Sequence, residues 1–349
     1  MIESQTEPRP KIRLNEVTLM RCILALLIVF VHAFTCYNHS WREPAGYVDV
    51  PVYMWLTRIS FAFTLEAFVF ISGYLFAFQR ITLSRIGGGI SLIVNKLKRL
   101  ILPSAIFSTL YFVIFCEYKG VGDFLYSIIN GCGHMWFLPM LFWCFLGGWL
   151  LEQIKLNDEW KLVILVCLHL FAVISLPFQL KAAAKYMVYF YGGFVVYKHS
   201  ETIKNALTPM RLLMGWVIFA VLFAVLRPMI DILVYPEGAS LLQKLAVIVA
   251  RNASQLVYAG VGVMVFYGTA VYYTFRHQIN TFTVKLASCC FGIYLFQQFV
   301  LQILYYKTGF PSIVGPYWLP WCGFVIASIV SYSLSILLLQ TKVGKYLIG

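Results

Sequence analysis

Stretches of apolar residues close to the length needed to cross about 30 Å of hydrocarbon recur from one end of the chain to the other. Ten are read, at roughly 17–36, 52–78, 101–116, 134–151, 161–178, 183–198, 209–226, 247–274, 286–305 and 317–340, the third being short for a span. Only 12% of the 349 residues are charged and 61% are hydrophobic, against about 25% charged in globular domains. The expected fold is therefore an all-α integral membrane protein, with about ten transmembrane helices in a single bundle. Residues 1–16 are polar and lack a small-residue cleavage site, so they read as a cytoplasmic tail and not a signal peptide. Residues 17–349 form the transmembrane domain, with no internal repeat, long linker or soluble domain.

Orientation follows from Lys and Arg, which collect in cytoplasmic loops. With the N-terminus inside, 18 of the 27 basic residues fall on the cytoplasmic side, which supports ten spans with both termini cytoplasmic. Trp41, Trp55, Trp136, Trp160, Trp318 and Trp321 lie near span ends, as an aromatic belt places them. The net charge of +13 is accounted for by this orientation, so no nucleic-acid partner is expected. Nine scattered cysteines show no metal-ligand spacing and read as small apolar residues, with neither a metal site nor a disulfide framework expected. Asn-x-Ser sequons at Asn38 and Asn252 matter only in a host that glycosylates proteins.

Ionisable side chains inside a span cost about 2.5–3.5 kcal/mol each on insertion scales, and are functional candidates by default. In 21-RCILALLIVFVH-32, Arg21 and His32 stand 11 positions apart. That is roughly three turns plus 20° and about 16 Å of rise, so both face one groove. Arg21 equally satisfies the positive-inside rule as a simple anchor, whereas the near-neutral pKa of His32 suits a proton carrier. The second span carries Arg58 near its outer boundary and Glu66 well inside, eight residues apart and too far around the helix for direct pairing. Glu66 is a candidate to orient His32 from a neighbouring helix. In 130-NGCGHMWFLPMLFW-143, His134 and Trp136 are either interfacial anchors or part of the same outward-facing site as His32. Lys96, Lys98 and Arg99 precede the third span and suit either lipid headgroups or an anionic cytosolic ligand. Gln297 and Gln298 read as helix-packing amides, and Ser72-Gly73 as a small-residue contact between helices.

Taken in order, these segments resemble the acyltransferase 3 family of integral membrane enzymes that O-acylate glycans. Arg21 through His32 is similar to its Arg-x10-His signature, and 65-LEAFVFISGYL-75 to its Val-Asp-Leu-Phe-Phe-Val-Leu-Ser-Gly segment, with Glu66 at the acidic position. The basic run ending Arg99-Leu100 before Pro103, the block 134-HMWFLPML-141 and the block 292-GIYLFQ-297 resemble three further family segments. The last block usually ends in His, where this chain has Gln297, which cannot exchange protons at neutral pH. The resemblance implies a cytosolic acyl-CoA donor, most often acetyl-CoA, and a sugar hydroxyl as acceptor, with no permanently bound cofactor.

On this reading Arg21, with Arg99 and Lys98, holds the donor, and His32 is the general base with Glu66 supporting its imidazole. His134, Trp136, Tyr294 and Arg58 are candidates for oxyanion stabilisation or for gripping the acceptor, unranked among themselves. The expected partners are acyl-CoA, a glycan acceptor and the bilayer of the cell inner membrane. A proton-coupled transporter and a non-catalytic polysaccharide-assembly protein are the competing readings, although no repeat with matching interrupted helices is visible.

Overall fold

A computed structural model describes residues 13–84, 88–174 and 176–349, and every described element is helical. Most of the expected 1–16 tail, and Arg85 of the basic tally, lie outside the described residues. The α-helices are α1 (Asn15–Ala33), α2 (Pro51–Phe61), α3 (Thr64–Ala77), α4 (Gly89–Lys96), α5 (Leu102–Phe115), α6 (Val121–Asn130), α7 (Phe137–Gln153) and α8 (Asp158–Leu170). They continue with α9 (Leu180–Lys198), α10 (Ser200–Ala206), α11 (Pro209–Ile232), α12 (Leu241–Arg276), α13 (Thr281–Tyr306), α14 (Phe310–Val314), α15 (Leu319–Gln340) and α16 (Lys342–Ile348).

Among the described residues eight stretches are long and apolar enough to cross a bilayer: Asn15–Ala33, Pro51–Thr82, Gly89–Phe115, Gly133–Gln153, Pro209–Ile232, Leu241–Arg276, Thr281–Tyr306 and Leu319–Gln340. The expected spans 161–178 and 183–198 coincide with the remaining pair, α8 and α9. Helix α8 stops at Leu170, 13 residues long, and the described residues of the apolar run beyond it, Pro177 among them, are not helical. Helix α9 has 19 residues but carries Lys181, Lys185 and Lys198. The third expected span is longer than it reads: the helix begins at Gly89 and passes through Lys96, Lys98 and Arg99 by way of a π-helical segment, Leu97–Ile101.

Cross-helix hydrogen bonds fix the relative senses of these helices. Cys290 of α13 meets the carbonyl of Arg21, Gln297 meets His32, and Tyr305 donates to the carbonyl of Ala33, so α13 climbs beside α1 in the same direction. Helix α9 runs parallel to α3: Lys185 lies at the Glu66 end, joined through Gln255, and Tyr197 at the other, bonded to Thr82. Helix α8 returns beside α9, with Asp158 at Lys198 and His169 at Lys185. Thus α8 and α9 cover the same height as α3. The face of α11 carrying Leu213, Val217, Val221 and Val225 is exposed, and so is that of α15 carrying Val325 and Ile329, as lipid-facing helices require.

Helices α3 and α9 approach until their backbones touch. A Cβ at Gly73 would overlap the carbonyl of Phe190, and one at Gly193 the carbonyl of Phe70. In lipid, where apolar side chains gain nothing by leaving their solvent, this small-residue crossing supplies contact that bulkier residues cannot. It also accounts for Ser72-Gly73 as a packing element. At the other flank, Asn252 of α12 is buried and donates to the carbonyls of His169 and Leu170, so its sequon is occupied by structure.

The crossing yields a test. Gly73→Val and Gly193→Val must push two backbones apart, at or above the roughly 1–3 kcal/mol of core overpacking. Gly192 is the control, because a Cβ placed there has nothing within 4 Å. Fluorescence-detected size exclusion with a thermal ramp is expected to show G73V and G193V losing the monodisperse peak or melting several degrees lower, while G192V behaves as wild type.

Candidate active site

A cavity of about 450 Å³ lies among α1, α3, α7, α13 and the α4–α5 junction. Arg21, Gln79, Lys96 and Arg99 supply polar groups to its lining. Along α3 and the π-helical turn Phe78–Thr82 that continues it, the lining runs from Gln79 back to Leu65, 14 residues apart and about 20 Å by helix rise, with Ile71, Phe68 and Phe137 making the walls apolar. A space that extends along α3 with cations in its lining suits a ligand with an anionic head and an extended arm. Of the basic run, Lys96 and Arg99 reach this space; Lys98 is exposed outside it, a placement the one-dimensional run does not reveal. Ser72 also lines the cavity, but its hydroxyl donates to the carbonyl of Phe68 at 2.8 Å, its one hydrogen bond.

Tyr294 of α13 connects the cavity to a histidine pair. It lines the cavity, donates its hydroxyl proton to the backbone carbonyl of His134, and packs edge-on against the His134 ring at 5.1 Å. The rings of His134 and His32 are 6.1 Å apart, centre to centre, and Trp41 stacks parallel to His32 at 6.1 Å. Arg21 and His32 share one face of α1, as their spacing requires, and the sequence expectation that His134 meets His32 corresponds to this contact.

The two histidines are held differently. His134 is buried in the 3-10 turn Gly133–Trp136, with Nδ1 2.5 Å from Gln298 Oε1 and Nε2 3.2 Å from the carbonyl of Leu295. Gln298 Oε1 also accepts the His134 backbone N–H at 3.1 Å, which fixes the orientation of that amide. Both ring nitrogens therefore face oxygen acceptors, so neither offers a lone pair to a substrate. His32 is bonded on one side only, Nδ1 lying 2.8 Å from the amide nitrogen of Gln297. Its Nε2 has no protein partner among the described residues. The Gln297 amide serves the ring in either of two orientations, as donor to bare Nδ1 or, turned over, as acceptor from Nδ1–H. The second orientation leaves Nε2 with a free lone pair.

Glu66 does not touch His32, the role its place in the sequence suggests. The reason is its register on α3, which aims it at α12. Its Oε1 accepts from Gln255 at 3.1 Å, while Gln255 accepts from Lys185 at 2.7 Å, and Oε2 is buried without a partner among the described residues. Gln255 in turn lines a polar hollow of about 220 Å³ with Arg58, Arg227, Asn38 and Tyr258. Arg58 is paired with Asp231 at 3.0 Å and lies over Trp55, so its charge is already engaged. Trp136 is half-buried and packs on Tyr186, away from the histidine pair.

Residue type alone does not single out Gln255, Lys185 or Trp41, and it makes Gln298 a packing residue. The adjacent amides Gln297 and Gln298 within an apolar helix are the available signal, since each needs a polar partner there.

A family model described as an acyltransferase domain matches residues 14–340. No curated protein matches the chain, and no solved structure does. The matched region runs from the start of α1 to the end of α15 and contains the cavity's cations, both histidines and their glutamines. The chain accordingly belongs to the acyltransferase 3 family of multi-pass membrane acyltransferases.

Proposed function

We propose that this protein is a membrane O-acyltransferase that moves an acyl group, in the first instance acetyl, from cytosolic acyl-CoA to a hydroxyl of a cell-surface or exported glycan. The observation that carries this reading is the single cavity with Arg21, Lys96 and Arg99 in its lining and Tyr294, beside the histidine pair, as another wall. In this reading α8 and α9 complete ten spans, both termini are cytoplasmic, and the membrane is the cell inner membrane. The cations then face the cytosol and His32 lies in the outer half. Phosphates of the donor stay with Arg21, Lys96 and Arg99, and its arm extends along α3 towards Tyr294.

His32 Nε2 takes the proton from the acceptor hydroxyl as the oxygen attacks the thioester carbonyl. The tetrahedral oxyanion then collapses, the C–S bond breaks, and the thiolate leaves with a proton returned from the imidazolium. Gln297 holds the ring in the tautomer this needs, accepting from Nδ1–H. Tyr294 and His134 shape the reaction chamber, with His134 positioning and not basic. Glu66 acts on the side of the polar hollow through Gln255, whose amide it accepts from and which lines that hollow.

The test is transfer of radiolabelled acetyl from acetyl-CoA to candidate glycans by purified protein in lipid. His32→Ala is expected to lower turnover about 10²–10⁴-fold, the usual contribution of a general base. Full activity in a folded H32A protein would refute the mechanism.

Arg21→Ala and Lys96→Ala are expected to raise the donor KM about tenfold or more, the equivalent of losing one charge-assisted hydrogen bond, with Lys98→Ala changing it less. Gln297→Leu removes the group on Nδ1 and is expected to reduce kcat roughly tenfold, with the donor KM little changed.

A further inference from the structure

Cys116 and Cys132 are 16 positions apart in the chain and belong to no common helix, yet their sulfurs lie 3.6 Å from each other. Cys116 caps the C-terminal end of α5 and is exposed; Cys132 is the residue before the 3-10 turn that carries His134. Between them the chain makes an excursion through α6, whose Leu125, Tyr126 and Ile129 are exposed in the manner of a helix lying at a membrane surface. We propose that Cys116 and Cys132 form a disulfide on the outer face of the membrane, closing the base of the α6 excursion and fastening the His134 turn to α5. This rests on the orientation given above, which puts both residues in an oxidising compartment.

The surroundings favour closure. The Cys132 backbone N–H is already bonded to Ser108 Oγ of α5 at 3.0 Å, so the two segments are joined next to the sulfurs. Closing the bond brings the sulfurs from 3.6 Å to about 2.05 Å. The exposed Cys116 thiol is reachable by a macromolecular oxidant, while Cys132, buried beside it, is positioned to resolve the mixed disulfide. The oxidant is a disulfide-carrying oxidoreductase: two thiols of this chain lose two electrons and two protons, one S–S bond forms, and the oxidant's S–S bond is reduced to two thiols. The consequence is local. Gly133 has φ +59 and leads directly into His134, so a bond at Cys132 shields the turn from movements of α6 at the interface.

The experiment uses the full chain expressed in cells with an oxidising outer compartment, quenched in denaturant with N-ethylmaleimide and counted by intact mass. Of the nine cysteines, nine less two, that is seven, are expected to be alkylated before reduction and all nine after it, with the protected pair mapping to 116 and 132. Cys116→Ser and Cys132→Ser should each abolish the difference. Nine adducts without reduction, or a protected pair elsewhere, overturns the disulfide. In the Cys132→Ser variant, Cys116 is expected to react with a membrane-impermeant maleimide on intact cells. Reaction only after lysis overturns the orientation and the disulfide with it, whereas surface reaction together with nine free thiols in the unmutated chain overturns the disulfide alone.

Discussion

A polar side chain inside hydrocarbon has no water to fall back on, and the arrangement of this protein's interior follows from how that demand is met. Three of the ionisable groups set among the spans are each met by a glutamine: His32 by Gln297, His134 by Gln298, Glu66 by Gln255. An amide satisfies a partner without adding a second charge to be desolvated, a cost that often exceeds the attraction of a buried ion pair. It also presents a donor and an acceptor on one rotatable group. A proton gained or lost by the partner can be followed by a turn of the amide that keeps the bond to the partner.

The same logic separates the two histidines, which look alike in sequence. The backbone N–H of His134 pins the Gln298 amide in one orientation, and the ring is enclosed on both nitrogens. Among the described residues nothing pins Gln297 in that way and its Oε1 is buried without a partner, so this amide is free to turn. Gln297, which closes the block 292-GIYLFQ-297, is the side chain bonded to His32. The sequence offers Glu66 for that orienting role, and the helix register sends Glu66 elsewhere.

Much of the fold was legible because hydropathy in lipid is a strong signal: α1, α7, α11, α13 and α15 lie close to where apolar runs put them. It failed where composition and conformation part company. Lys96, Lys98 and Arg99 concealed the first half of a continuous helix, since long basic side chains can leave their helix for a polar space. The run beyond Leu170 looked like helix because Phe171, Ile174 and Leu176 are apolar, but Pro177 and the turns around it belong to a loop. At the site, Arg21 and His32 were legible because a single helix sets their geometry. The partners of Glu66 were not, because Gln255 is 189 residues away and no local periodicity records a contact between helices. The apposition of Cys116 and Cys132 was invisible for the same reason.

Helices α8 and α12 differ greatly in length, 13 residues against 36, or about 20 Å against about 54 Å, and Asn252 holds the end of the short one against the side of the long one. Val163, Ile164 and Leu168 on the outward side of α8 are exposed, so lipid must cover them. A bilayer about 30 Å thick meets a 20 Å helix by thinning, at a cost of fractions of a kcal/mol per Å. On the proposed ten-span reading the membrane beside α8 is dimpled, and lipid composition, through bilayer thickness, becomes a variable acting on the helix pair that holds Lys185 and, through Gln255, Glu66.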